Sequence, residues 1–120
     1  MAVPEHAVHY LEIVTPDVEA ACRLYAEVHG WRFEPMGPEL GQAWVAALPG
    51  GSRCGIRAPL HPEEKPIVRT YLRVADLKAA TLAAEGLGAK TLLDFMELPG
   101  QGSISIQEIG GIQQGLWQVP

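Results

Sequence analysis

The sequence is short of the features that mark most specialised proteins. Cysteine occurs only twice, at Cys22 and Cys54, too few for the disulfide framework of a small secreted domain. Cys22 falls in a helical pattern and Cys54 in a strand pattern, where each reads as a small buried hydrophobe. No apolar run is long enough to span a bilayer. Residues 1–9 lack the basic start and apolar core of a signal peptide, so a cytoplasmic protein with no membrane partner is expected. Positive charge is scarce too: 9 Lys and Arg face 14 Asp and Glu, leaving a net charge of -5, which argues against nucleic acid as a partner. The chain has no G-x-G-x-x-G after a strand, no P-loop and no G-x-S-x-G elbow. What remains is 48% hydrophobic and 19% charged over 120 residues, the composition of one ordinary globular domain.

Its organisation is read from periodicity and breakers. Ala7 to Val14 reads as a strand, and Thr15-Pro16-Asp17 stops it and opens a helix with acids in its first turn. Val18, Ala21, Cys22, Leu24, Tyr25 and Val28 recur at helical spacing, and Gly30 suits a left-handed cap. Trp31 to Met36, Ala43 to Leu48 and Arg53 to Ala58 read as short strands separated by Gly and Pro. A polar, proline-bearing stretch, Pro59 to Pro66, reads as a surface linker. The pattern then restarts: a strand over Thr70 to Val74, a helix capped by Asp76 and running to about Leu87, and strands over Lys90 to Met96, Ser103 to Glu108 and Gly115 to Val119.

The restart is a repeat. Tyr10-Leu11 answers to Tyr71-Leu72, Asp17-Val18 to Asp76-Leu77, Ala20-Ala21 to Ala79-Ala80, Gly50-Gly51 to Gly110-Gly111 and Gly55-Ile56 to Gly115-Leu116. Each match is weak alone, but their order and nearly constant offset of half the chain point to two βαβββ units. The expected division of 1–120 is a first module over 6–58, a linker over 59–68 and a second module over 69–119.

With V-H-Y-L-E-I-V-T-P-D at Val8 to Asp17, L-Y-A-E-V-H-G-W at Leu24 to Trp31, Y-L-R-V-A-D-L at Tyr71 to Leu77, L-G-A-K-T-L-L at Leu87 to Leu93 and G-L-W-Q at Gly115 to Gln118, the chain resembles the glyoxalase/bleomycin-resistance/extradiol-dioxygenase superfamily, the vicinal oxygen chelate proteins. The resemblance covers nearly the whole chain. It implies an α+β fold in which two tandem βαβββ modules form curved mixed sheets around a cleft for a small molecule or a metal, and a homodimer. Metal-using members of that family place one ligand on the first strand and one on the last strand of each module, drawn from His, Gln and Glu.

Carried over residue by residue, those positions fall on His9, Thr70, Gly55 and Gly115. One offers an imidazole, one a neutral hydroxyl and two no side chain, so the usual metal site, and with it any resident cofactor, is expected to be absent. His6, His29 and His61 form no cluster at ligand spacing that would replace it. A shifted site of His9 with Glu12 fails because residues three apart on a strand point to opposite faces. The turn before the last strand, Glu108 to Ile112, keeps its glycines but lacks the acids many relatives carry there.

Alternation along the strands groups the candidates. If His9 faces the cleft, so do Leu11 and Ile13, with Tyr10, Glu12 and Val14 facing away. Gly55 with Arg57, Thr70 with Leu72 and Val74, and Gly115 with Trp117 share faces in the same way. The assembled surface would hold an imidazole, a guanidinium, a hydroxyl and an indole, suited to an apolar or aromatic molecule whose anionic group Arg57 could pair. Plainer readings stand beside these. His9 can be a core histidine, Arg57 a solvated residue, Trp117 part of the core or of a dimer interface, and Trp44 a ring of undetermined facing. Trp31 is expected to pack the first helix on the sheet, and Glu12 and Arg73, on the face away from the cleft, to pair structurally with each other or across a dimer.

Three functions remain open on the sequence. One is an enzyme, a lyase or a relative of the dioxygenases, working on a small molecule with His9 as its acid or base. Another is a binding protein that sequesters or senses a small molecule, as the bleomycin-resistance branch does. The third is a partner module with a vestigial cleft.

Overall fold

The computed structural model describes residues 2–120. The chain divides into two compact units, one made of Tyr10–Val68 and the other of Val3–His9 with Arg69–Pro120. The N-terminal arm thus belongs with the second half of the sequence, and the chain passes from one unit to the other within its first strand, between His9 and Tyr10.

The first unit contains strand β1 (Val8–Val14, from Tyr10 onward), helix α1 (Val18–His29), and strands β2 (Phe33–Pro35), β3 (Trp44–Ala47) and β4 (Arg53–Arg57). Asp17 caps α1 by accepting a bond from the amide of Ala20, and Gly30 closes it at φ 74° with its amide on the Ala26 carbonyl. The strands lie in the order β2-β3-β4-β1, with β1 parallel to β4 and the other pairs antiparallel. Ile13, Cys54 and Ile56 form the core, and Leu11, Val18, Ala21, Cys22, Tyr25, Trp31 and Phe33 pack on it. Trp31 stacks on Tyr25 at 5.5 Å and meets Phe33 at 6.4 Å, fastening the end of α1 to the edge strand as expected.

The second unit repeats the plan with β5 (Ile67–Arg73, from Arg69 onward), α2 (Leu77–Gly86), β6 (Lys90–Leu98), β7 (Gly102–Ile109) and β8 (Ile112–Gln118). Asp76 caps α2 through the Ala79 amide. The order is β5-β8-β7-β6, with β5 parallel to β8 and the rest antiparallel. β8 starts earlier than the sequence suggests because Gly110 and Gly111, both at positive φ, make a two-residue hairpin that pairs Ile109 with Ile112. Under α2 a buried polar chain runs from the Gln107 amide to the Ser105 hydroxyl, on to the Thr81 hydroxyl and then to the Leu77 carbonyl. The expected α+β fold of two βαβββ modules is therefore what the chain adopts. No helix among the described residues is long and apolar enough to cross a membrane.

Candidate functional site

In the first unit the helix decides which strand face is buried in the core. Leu11, Ile13, Cys54 and Ile56 pack toward α1, so alternation places Tyr10, Glu12, Gly55 and Arg57 on the opposite face. This corrects the grouping of His9's strand neighbours with Arg57. Leu11 and Ile13 belong to the α1 core, and Arg57 shares its face with Glu12. Trp44 stands opposite Ile56 in the β3–β4 register, on the α1 side and 42% exposed, away from Gly55 and Arg57.

Arg57 is buried, and all three of its guanidinium nitrogens donate hydrogen bonds. Nε donates to Glu12 Oε2 at 3.0 Å, Nη1 to Glu64 Oε1 at 2.9 Å and to the Ala58 carbonyl at 3.2 Å, and Nη2 to Glu64 Oε2 at 2.7 Å. Burial favours the neutral guanidine, but the bonds to Glu64 and Glu12 hold the Arg57 pKa above its ordinary value. The same hydrogen bonds from Arg57, helped by the Leu60 amide, bring the Glu64 carboxyl down to about 2 against the opposing effect of burial. The Tyr10 hydroxyl lies over Gly55, where a Cβ would collide with it. The Arg53 guanidinium stands 5.8 Å from the Tyr10 ring centre.

The second unit repeats the tyrosine-over-glycine arrangement. The ring of Tyr71 occupies the space a Cβ on Gly115 would need. Trp117 meets Tyr71 edge to face at 5.6 Å and the His9 imidazole at 5.0 Å, and its Nε1 donates to the Gln101 carbonyl at 2.9 Å. Trp117 is only 1% exposed and Tyr71 is also buried, while His9 is half-buried. Arg69 donates to Gln113 Oε1 from Nε and Nη2, at 3.2 and 2.9 Å, and to the Tyr71 hydroxyl at 3.5 Å. Thr70 faces the other way. Its strand neighbour Leu72 pairs with Leu116, which pairs with Ser105 on the α2 side, and Gln114 donates to the Thr70 hydroxyl at 3.1 Å.

Of the residues singled out in the sequence, the structure brings Gly55 and Arg57 onto one face of the first unit. It brings His9, Trp117 and Gly115 to one cluster of the second. Trp44 and Thr70 lie on helix-side faces. Four contributors escaped the sequence reading: Tyr10, Tyr71, Arg69 and Glu64. The two tyrosines carried a usable signal, because they recur at nearly the offset that relates Gly55 to Gly115. Glu64 carried none, since its partner is set by a loop closing on β4.

The four-ligand metal pattern does not fit these residues. Gly55 and Gly115 offer no donor, a tyrosine fills the space above each, and the Thr70 hydroxyl is turned to Gln114. Among the described residues no group of three or more His, Cys, Asp or Glu is placed to hold a metal ion.

No protein-family profile matches the sequence, and a comparison with curated proteins returns no match. Solved structures do match. Methylmalonyl-CoA epimerase from Mycobacterium tuberculosis superposes with a TM-score of 0.72 at 18% identity, over 100% of this chain and 93% of that one. A hypothetical protein from Bacillus halodurans gives a TM-score of 0.74 at 10% identity, over 94% of each chain. A variant of the Streptomyces coelicolor methylmalonyl-CoA epimerase, in complex with 2-nitronate-propionyl-CoA, gives 0.70 at 13% identity, over 97% of this chain and 96% of that one. At these identities the likeness is one of fold, and the fold of this chain is the one methylmalonyl-CoA epimerase has.

Proposed function

We propose that this protein binds a small organic molecule against the sheet face opposite a module's helix, without the four-ligand metal centre, and that His9 contacts such a molecule in the second unit. The observation that supports this reading is the tyrosine placed over the last-strand glycine in both modules. Where a chelating fold needs two side-chain donors, this chain has an aromatic ring on a glycine floor, with arginines beside it. Such a lining suits a flat or apolar organic molecule better than a metal-held one. Glu12 is tied to Arg57, and in the second unit the His9 imidazole packs on Trp117. Binding is therefore favoured over multi-residue catalysis.

The test is native mass spectrometry and plasma-source metal analysis of the purified protein, followed by a thermal-shift screen of small aromatic and aliphatic compounds. A retained or stabilising organic molecule is expected, with affinity reduced at least tenfold in His9→Ala and far-UV circular dichroism unchanged. A stoichiometric divalent metal whose removal abolishes ligand binding would overturn the metal-independent reading. The same reading carries a cytoplasmic homodimer, to be checked by fractionation and sedimentation.

A second reading rests on the structural neighbours that are methylmalonyl-CoA epimerases. Epimerisation of a carbon acid needs a base near the C–H and a group that stabilises the enolate. His9 would be the base. Deuterium incorporation into methylmalonyl-CoA in heavy water supports that activity if it depends on His9, and its absence returns the protein to the binding class.

A further inference from the structure

Arg57 is held on two sides that differ in kind. On its Nε side stands Glu12, a residue of β1 within the paired β1–β4 ladder. On its outer edge, Nη1 and Nη2 are both paired with Glu64 in the parallel two-bond geometry by which arginine receives a carboxylate. Glu64 does not belong to the sheet. It sits in the stretch 58–66, which has no helix or strand, carries Pro59, Pro62 and Pro66, and is exposed at most positions. Apart from the Ala58 carbonyl, which accepts from Arg57 Nη1 at 3.2 Å, that stretch's own hydrogen bonds are local, from the Leu60 amide to Glu64 Oε1 at 2.7 Å and from the Glu64 amide to the His61 carbonyl at 3.1 Å. Departure of Glu64 would leave the guanidinium positioned by Glu12 and the Ala58 carbonyl, with the two N–H groups that Glu64 had taken presented.

We propose that Glu64 is an internal stand-in for a ligand: the 58–66 strap seats its carboxylate on Arg57, and a small monocarboxylate binds the first unit by displacing it. This rests on the proposed small-molecule function and adds the chemical class of the ligand.

Charge selects the class. Glu12, Arg57 and Glu64 together carry one net negative charge, and exchanging one carboxylate for another leaves that sum unchanged. A phosphate dianion would add a second negative charge beside the buried Glu12, where repulsion is poorly screened. The strap also gives the site a gate, because the bonds that keep it closed are those the ligand replaces.

The experiment compares benzoate, acetate and inorganic phosphate by calorimetric or NMR titration of the wild type, Glu64→Ala, and the double variant Glu64→Ala/Arg57→Met. Benzoate is expected to bind Glu64→Ala at least tenfold more tightly than the wild type, phosphate more weakly than benzoate in both, and the double variant not at all. In the wild type, saturating benzoate is expected to speed hydrogen exchange at the Leu60 amide, which Glu64 otherwise protects. This arm decides the matter even where a variant folds poorly. Equal affinities in wild type and Glu64→Ala, a preference for phosphate, or binding that survives Arg57→Met overturns the proposal. A small molecule that binds the wild type through His9 while Leu60 protection stays constant removes the strap and leaves the broader function standing.

Discussion

The hydroxyl of Tyr10 rests on Gly55, one strand away, so closely that the glycine has no room for a β-carbon. Tyr71 and Gly115 repeat the contact in the second module, from β5 to β8. The duplication has therefore preserved a tyrosine on the first strand and the glycine it needs on the last. The two residues form one device: the ring caps a gap that it requires.

Placing a methyl group in either gap measures the device. At Gly115 the added carbon meets the body of the Tyr71 ring, whereas at Gly55 it meets the hydroxyl end of Tyr10. Gly115→Ala is expected to lose about 1–3 kcal/mol through overpacking, and Gly55→Ala less, because a ring tip swings aside more easily than a ring body. Urea denaturation of the two variants checks the order, and combining Gly115→Ala with Tyr71→Ala is expected to restore part of the loss.

Acid stability carries the signature of Glu64. Its folded pKa of about 2 lies below the ordinary 4.5, because Arg57 donates to it. A depressed carboxyl stabilises the fold at pH above its ordinary value, and that contribution disappears as pH falls from about 4.5 toward 2. The groups facing it are Arg57, the Leu60 amide and His61. Glu64→Gln is expected to be less stable than wild type at pH 7 and nearly equal to it at pH 2. A pH series of thermal melts in which the two curves stay parallel would count against the ion pair.

The polar chain beneath α2 is expected to be costly to cut. Ser105 is fully buried; its hydroxyl accepts from the Gln107 amide and donates to the Thr81 hydroxyl. Ser105→Ala takes away the acceptor of the buried Gln107 amide and the donor to Thr81, whose hydroxyl keeps its bond to the Leu77 carbonyl, and is expected to cost about 1–3 kcal/mol. The urea midpoint should fall with the slope unchanged. A neutral effect would mean that water or a rotated side chain replaces the hydroxyl.

Neither thiol is primed for reaction. Burial raises the pKa of Cys22, and burial followed by the proximity of Cys22 pushes Cys54 up to about 12. A disulfide reagent at pH 8 is expected to modify Cys22 slowly and Cys54 only after unfolding in guanidinium. Rapid labelling of both in the folded protein would show that α1 opens from β4.

Much of the fold was readable along the chain. The capping aspartates at 17 and 76 and the left-handed glycine at 30 stand where the sequence places them, and each expected strand is present, though β2 is shorter and β5 and β8 begin earlier. These are short-range effects, decided by each residue's own backbone preferences and by neighbours within a turn or two. The repeat was legible for the same reason, since it compares one local pattern with another.

The candidate site was legible only in part, and the reason is physical. Alternation in a strand states which side chains share a face, so Gly55 with Arg57 and Gly115 with Trp117 came out correctly paired. It does not state which face a helix will cover. That choice belongs to packing: α1 took Leu11 and Ile13, and Arg57 went with Glu12 instead. The match of Arg57 to Glu64 likewise depends on a loop closing back onto β4, a contact that no local preference encodes. The sequence by itself determined the elements, the duplication and the glycines at Gly55 and Gly115. Only the tertiary structure decided that tyrosines would fill the space above them, because that follows from strands meeting across the sheet and not from residues adjacent in the chain.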